Sequence, residues 1–358
     1  MSSRPTAPVA ASERVGVVVV GRNEGERLRR CLDALDGLDA RVVYVDSGSS
    51  DGSVALAHSR RVEVVELDRS APFTAARGRN AGVARLLELD PALAYVQFLD
   101  GDCVLVSEWL ARGLAELRAD PRLGAVCGRR REMFPDRSPY NRLCDMEWNT
   151  EPGRGADVGG DSLMRVAAFR AVGGFDAALI AGEDPDLSQR LRSAGFDIAR
   201  VDADMTWHDA AITRWAQWWG RTVRAGYTYA QWRGREHTDL GRVRRRRALS
   251  ALVWSFGAPI AAVAGALALS ASGVSIPLAA GLAVMALLAL YTLPAWRARA
   301  YRMRRGDAPS HASLYGVFCV LGKFPETQGL ARYALDVLRG KRSKLIEYKQ
   351  AEPAGGRS

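Results

Sequence analysis

An open α/β sheet with helices on both faces, followed by a helical hairpin, is the fold this sequence predicts. Three observations predict it. Between Val15 and His208, apolar strand-like runs alternate with helix-compatible stretches, the pattern of a mostly parallel sheet. Strand-like runs end on acidic or glycine-rich elements, and ligands of open α/β sheets bind outside the strand C-termini. From Ala248 to Trp296 there is no Asp, Glu, Lys, Arg or His, a stretch long enough for two membrane spans of about 20 residues each.

The elements follow in order. Val15 to Val20 is nearly all valine, as a strand covered on both faces requires. Glu24 to Leu35 places Leu28, Cys31, Leu32 and Leu35 on one helical stripe. Arg41 to Val45 and Val62 to Leu67 read as the second and third strands, and a helix-compatible stretch containing Ala81 to Leu87 follows. Ala94 to Leu99 is a buried strand leading directly to Asp100. A helix from Ser107 to Leu117, a short strand near Ala125 to Cys127 and an irregular stretch to Gly155 come next. Helices are expected over Arg165 to Val172, Asp186 to Ser193 and Thr213 to Tyr229, the last rich in tryptophan.

Within the charge-free run, Ser270 to Gly273 supplies a turn between two transmembrane helices. Arg242, Arg244, Arg245, Arg246 and Arg247 precede the run, and Arg297, Arg299, Arg302, Arg304 and Arg305 follow it. Arginine near span ends favours the cytoplasmic side. The hairpin is therefore expected to begin and end there, with the N-terminal domain facing the cytoplasm at an inner membrane. Leu314 to Leu345 mixes apolar residues with Lys323, Arg332, Arg339, Lys341, Arg342 and Lys344. It suits a helix on the membrane surface or one packed on the preceding domain. The expected organisation is a disordered tail at 1–12, an α/β domain at 13–240, the hairpin at 248–296 and a basic amphipathic region at 297–358.

The chain of 358 residues has a net charge of +10. Much of the excess flanks the hairpin, where anionic head groups attract it. No zinc-finger or RNA-recognition signature accompanies it, so membrane lipids and not nucleic acid are the expected partners. The five cysteines are scattered without metal-ligand spacing and read as reduced, buried thiols.

Five elements carry the chemistry, in this order: Gly21 to Glu24, Asp46 to Gly52, Arg77 to Gly82, Asp100-Gly101-Asp102, and Gly182 to Leu187. Each alone has an ordinary explanation. Ser50 and Asp51 make good helix caps, and acidic residues suit a helix N-terminus. Their order after successive strands is what those explanations leave out. Two carboxylates one glycine apart form a hard oxygen pair suited to a divalent cation that holds phosphates.

With these residues in place, the chain resembles the family-2 glycosyltransferases of the GT-A fold, a Rossmann-like nucleotide-diphospho-sugar transferase. The resemblance spans about Val15 to His208. It rests on Val45-Asp46-Ser47-Gly48-Ser49-Ser50-Asp51-Gly52-Ser53, Arg79-Asn80-Ala81-Gly82, Asp100-Gly101-Asp102 and Gly182-Glu183-Asp184-Pro185-Asp186-Leu187. Gly159 to Met164 followed by Val172 to Asp176 looks like the family's acceptor-side segment.

The resemblance implies a nucleotide-sugar site drawn from Asn23, Glu24, Asp46, Ser47, Arg79, Asp100 and Gly101, with a UDP- or GDP-linked donor. Asp46 would contact the nucleoside, Arg79 the diphosphate and Asp100 the ribose and metal. Many relatives carry a second acid where this chain has Ser47. Asp102, with Asp100 and His208, would hold Mg2+ or Mn2+; His208 could instead touch the acceptor. Gly159, Gly160, Asp161 and Arg190 would lie on the acceptor side. Asp184 would be the catalytic base of an inverting displacement, with Glu183 as its alternative or as an orienter of the loop. A phosphate acceptor needs no base, so this pair points to a hydroxyl on a lipid-linked or membrane-associated acceptor, in glycolipid or surface polysaccharide synthesis. A polyprenyl-phosphate sugar transferase and a non-catalytic nucleotide-sugar-binding scaffold remain as alternatives.

Overall fold

The structure, a computed structural model, describes residues 14–155, 157–179, 181–231 and 239–340. The expected 1–12 tail and the basic residues from Lys341 onward lie outside the described residues. By internal packing the chain divides into two compact units. Among the described residues, one comprises those up to Met133 together with Glu147–Ala210; the other holds Phe134–Met146 and those from Ala211 on.

The first unit is an α/β sheet. Its strands are β1 (Val15–Gly21), β2 (Ala40–Asp46), β3 (Glu63–Glu66), β4 (Tyr95–Asp100), β5 (Cys103–Leu105), β6 (Leu123–Glu132), β7 (Gly153–Arg154), β8 (Ser162–Arg165) and β9 (Asp197–His208). Its helices are α1 (Glu26–Asp33), α2 (Ser53–Ser59), α3 (Ala75–Leu89), α4 (Trp109–Ala119), α6 (Val166–Ala171) and α7 (Glu183–Ser193); α5 (Pro139–Trp148) crosses the boundary between units. The sheet order is β3-β2-β1-β4-β8-β6-β9-β5, with β7 beside β9.

Strands β3, β2, β1 and β4 are parallel. Strand β8 is antiparallel to both β4 and β6, while β6 and β9 are parallel. The sheet is therefore mixed rather than mostly parallel as expected. The valines of β1 explain its continuous apolar run. Val15, Val17 and Val19 pack on the face that also holds Leu28, Leu32 and Trp109. Val18 and Val20 pack on the other, with Val83, Leu86, Phe98 and Leu187.

Register sets the site. Gly21 pairs with Asp46, and Val20 with Asp100, so the strand ends carrying both aspartates are level. Helix α3 contains the expected Ala81 to Leu87 and begins at Ala75, where Thr74 caps it by accepting from the Arg77 N–H at 3.1 Å. It sits close on β1: a Cβ at Gly82 would meet Val18 at 2.3 Å. That approach explains the glycine of the Arg79-to-Gly82 element.

The second unit is helical: α8 (Trp215–Gln231), α9 (Asp239–Leu252), α10 (Ala258–Ala271), α11 (Ile276–Arg304), α12 (Pro309–Leu321) and α13 (Lys323–Leu338). Among the described residues, 211–231 also group with these helices. A π turn at Val253–Gly257 joins α9 to α10, just before Pro259, which lacks an N–H and whose ring crowds the carbonyl four residues earlier. Two stretches, Gly241–Ala271 and Ile276–Arg304, are long and apolar enough to cross a membrane, with mean hydropathy 1.9 and 2.1. Only 11% and 6% of their apolar windows are buried, unlike core helices of a soluble protein. The helix expected over Leu314 to Leu345 is instead two helices, broken at Gly322. Pro325 is the cause: it cannot donate to the carbonyl of Leu321, so it tolerates only a first turn.

Candidate active site

The site is built at the C-terminal edge of β1, β2 and β4. Asp46 is 1% exposed. It accepts from the Tyr44 hydroxyl at 2.9 Å, the Gly48 N–H at 2.9 Å, the Ser49 N–H at 2.7 Å and the Ser49 hydroxyl. A carboxylate offers about four acceptor positions, so Asp46 is engaged in shaping its own loop. Burial, together with Asp46, raises the Tyr44 pKa, keeping that donor protonated. Asn23 joins this loop to the preceding one: its Oδ1 accepts from the Ser50 N–H at 2.7 Å, and its N–H donates to Ser49 Oγ at 2.9 Å. It does so at φ 55°, a left-handed conformation that Asn tolerates. Ser47 donates its N–H to the Gly21 carbonyl. Glu24 pairs with Arg27 at 2.8 Å and packs toward Gly101, where a Cβ would meet its Cγ at 3.3 Å and the Val20 carbonyl at 3.2 Å.

Arg79 is the hub. Its Nη2 donates to Asp100 Oδ1 at 2.9 Å, and its Nη1 to Glu183 Oε1 at 3.0 Å and Asp184 Oδ1 at 3.1 Å. The ring of Phe175 lies beneath the guanidinium at 5.4 Å. Glu183 and Asp184 open α7, after Gly182 at φ 86°, a conformation cheap only for glycine. Burial opposes ionisation of Asp100, but Arg79 and Arg130 overcome it and lower its pKa. At Asp184, burial, opposed by Arg79 and reinforced by Glu183 and Asp100, raises the pKa to about 8.

A second group backs the first. Asp161, 1% exposed, accepts from the Asp100 N–H at 3.0 Å, Arg130 Nε at 3.0 Å and the Thr206 hydroxyl at 2.7 Å. Arg130 also reaches Asp100 at 3.1 Å. Asp161 is thus a support beneath Asp100. Gly160 lies against the same junction: a Cβ there would meet Arg79 at 2.7 Å and Asp100 at 2.8 Å, whereas one at Gly159 would meet nothing within 4 Å.

Asp102 and His208 complete the cluster, with His208 Nε2 3.3 Å from Asp102 Oδ2 and Nδ1 3.8 Å from Glu132. Strand pairing causes this: His208 faces Cys103 across β5–β9 and Glu132 across β6–β9. His208 is the last residue of β9. Trp148 packs edge-on against its ring at 4.7 Å. Ligand atoms of Asp102, Cys103 and His208 lie within 4.8 Å of one another. Burial holds the Cys103 thiol well above its ordinary pKa, and its S–H points to Asp102 Oδ1 at 3.7 Å. The ligands offered are therefore a carboxylate and an imidazole. A carboxylate beside an imidazole is a donor set that can hold a divalent cation.

Of the residues singled out by sequence, Arg79, Asp100, Glu183, Asp184, Gly160 and Asp161 form one network, with Asp102 and His208 adjoining. Arg190 bonds elsewhere: to Asp186 at 2.8 Å and to the carbonyls of Val172 and Gly174 at 2.6 and 2.7 Å. It clamps that loop. Sequence reasoning missed Arg130, Glu132, Thr206 and Trp148. The alternation of Arg130 and Glu132 along β6 was the available signal.

Residues 16–172 match the profile of glycosyl transferase family 2. A pre-mycofactocin glycosyltransferase of Mycobacterium tuberculosis is 33% identical over 224 residues, 58% of this chain and 45% of that protein. The succinoglycan biosynthesis protein ExoA of Rhizobium meliloti is 29% identical over 201 residues, 52% of this chain and 60% of that one. The chain thus spans about half the length of the curated relatives it matches. Among solved structures, the mannosyltransferase PcManGT of Pyrobaculum calidifontis, in complex with GDP-Man and Mn2+, superimposes with TM-score 0.54 at 22% identity, covering 88% of this chain and 90% of that one. Residues 16–172 thus carry the profile of glycosyl transferase family 2, and the chain shares the fold of the Pyrobaculum calidifontis mannosyltransferase.

Proposed function

We propose that this chain is an inverting, metal-dependent glycosyltransferase that moves a sugar from a nucleoside-diphosphate donor to a hydroxyl of a membrane-held acceptor. The observation that carries the reading is Arg79, which joins the Asp100 end of the acidic turn to the Glu183–Asp184 pair within 3.1 Å. A donor-binding group and a base are thereby in one buried network.

Arg79 and Arg130 offer guanidiniums shaped for a diphosphate. Asp102 and His208 would hold the cation, which when bound neutralises charge on the leaving nucleoside diphosphate. The Pyrobaculum calidifontis mannosyltransferase in complex with GDP-Man and Mn2+ supports a divalent cation alongside a nucleoside-diphosphate sugar. Asp184 takes the proton of the acceptor hydroxyl. Its raised pKa matches the task, because a base is most effective near the working pH. Asp46 and Asn23 shape the loop that receives the nucleoside, and Asp161 and Gly160 keep Asp100 in place. The two apolar stretches and their arginine flanks support anchoring in a membrane with the α/β unit on the cytoplasmic side. The names of the relatives support a role in glycoconjugate or polysaccharide synthesis.

The test is a panel of UDP- and GDP-linked sugars presented to the full chain in membranes, with Mn2+, Mg2+ or EDTA. Transfer or donor hydrolysis that disappears in EDTA is expected. Turnover undiminished by EDTA, or no turnover of any donor, overturns the proposal.

A further inference from the structure

The helical unit carries a feature that the acidic site does not use. Helices α8 and α13 touch backbone to backbone at their crossing. A Cβ at Gly226 would lie 1.9 Å from the Glu326 carbonyl, and one at Gly329 2.1 Å from the Val223 carbonyl. Toward the N-terminal end of α8 the contact opens into a groove of about 510 Å³, within the range of small-molecule sites. Trp215, Trp219 and Val223 line one wall, and Gln328 and Arg332 the other.

The walls are of two kinds. Trp215 is 44% exposed, and its ring lies 5.5 Å from that of Trp219. Trp219 is held in place by its indole N–H, which donates to Gln328 Oε1 at 2.6 Å. Arg332 is exposed and brings a fixed positive charge to a groove whose other polar side chain, Gln328, is engaged by the Trp219 indole. Hydrocarbon gains by covering indole faces, and a guanidinium pairs bidentately with phosphate. A ligand satisfying both is a lipid phosphate. The same unit holds the two apolar stretches, consistent with a ligand drawn from a bilayer.

We infer that the groove between α8 and α13 seats the phosphate-proximal segment of a single-chain lipid phosphate, with the chain on Trp215 and Trp219 and the phosphate on Arg332. The inference rests on the proposed function and narrows its acceptor to one carried on a lipid phosphate or diphosphate.

The test measures binding to the full chain in detergent micelles, with farnesyl phosphate as probe and farnesol, inorganic phosphate and phosphatidylglycerol as comparators. Farnesyl phosphate is expected to bind more tightly than all three. Arg332→Glu should weaken it about ten-fold and remove its advantage over farnesol, the loss expected of one charge-assisted contact. Trp215→Ala should weaken farnesyl phosphate and farnesol alike. Both residues are exposed, so both variants are expected to fold, which circular dichroism checks. Unchanged affinity in both variants overturns the inference. So does phosphatidylglycerol or inorganic phosphate matching farnesyl phosphate. Nucleotide and Mn2+ binding, measured on the same samples, separates the two claims. Lipid binding without any nucleotide-sugar turnover removes the proposed function and leaves the groove, and the converse removes the groove alone.

Discussion

Asp184 is where protonation and catalysis meet. Its pKa is raised to about 8 by burial beside Glu183 and Asp100, so the ionised base grows with pH up to that value. Transfer is expected to rise with pH toward about 8, and Asp184→Asn to lower kcat by about 10²–10⁴, read by initial rates across pH. The same shift has a stability sign. Between about pH 4 and 8 the folded protein keeps a proton that the unfolded chain has lost, so this group's contribution is full below pH 4 and is lost as pH rises through 8. Asp184→Asn should flatten that fall, as measured by denaturant titration at several pH values. Glu132 is a second residue-scale test. It stands 3.8 Å from His208 Nδ1 and accepts from the Ala210 N–H. Glu132→Gln is expected to weaken Mn2+ binding about 10–100-fold, the range for outer partners of a ligating histidine, read by calorimetric titration. Asp100, Asp102 and Asp184 were legible in the sequence because each follows a strand-like run or opens a helix. Arg130, Glu132 and Thr206 were not, because they act through pairing of β6 with β9, which local pattern does not encode.

At the scale of elements, small residues decide how closely the pieces approach. Gly160→Ala places a methyl against Arg79 and Asp100. It is expected to cost about 1–3 kcal/mol of stability and to weaken donor binding, whereas Gly159→Ala, which meets nothing within 4 Å, should be near neutral. Thermal unfolding of the two variants side by side checks the contrast. The helix starts show the same reasoning. Thr74 caps α3 at its start, and Gly182 places Glu183 and Asp184 in the first turn of α7. The first strands and helices were readable because valine runs and 3.6-residue stripes are local signals. Strands β5, β7 and β8 are two to four residues long, too short to carry a period, and only their partners define them.

For the molecule as a whole, the contrast is between a sheet packed on both faces and apolar helices that are not. Leu267 is 67% exposed and Met285 63%. Met285→Arg, near the middle of the apolar part of α11, separates the two readings of such a surface. At the centre of a span an arginine costs about 2.5–3.5 kcal/mol, while on an exposed soluble helix it costs within about 0.5 kcal/mol. Reduced retention in alkaline-washed membranes is expected. From composition alone came the α/β order, the acidic turns, the charge-free run and the arginine flanks, because strand and helix periods, glycine punctuation and hydropathy are properties of neighbouring residues. Tertiary structure alone decided that β8 runs antiparallel between β4 and β6 and that Asp161 supports Asp100. It likewise decided that Arg190 holds the Val172–Gly174 backbone, and that Trp215, Trp219 and Arg332 border one groove. Those outcomes depend on pairing between segments far apart in the chain. Their free energy comes from burial and hydrogen bonds that exist only once the segments have met.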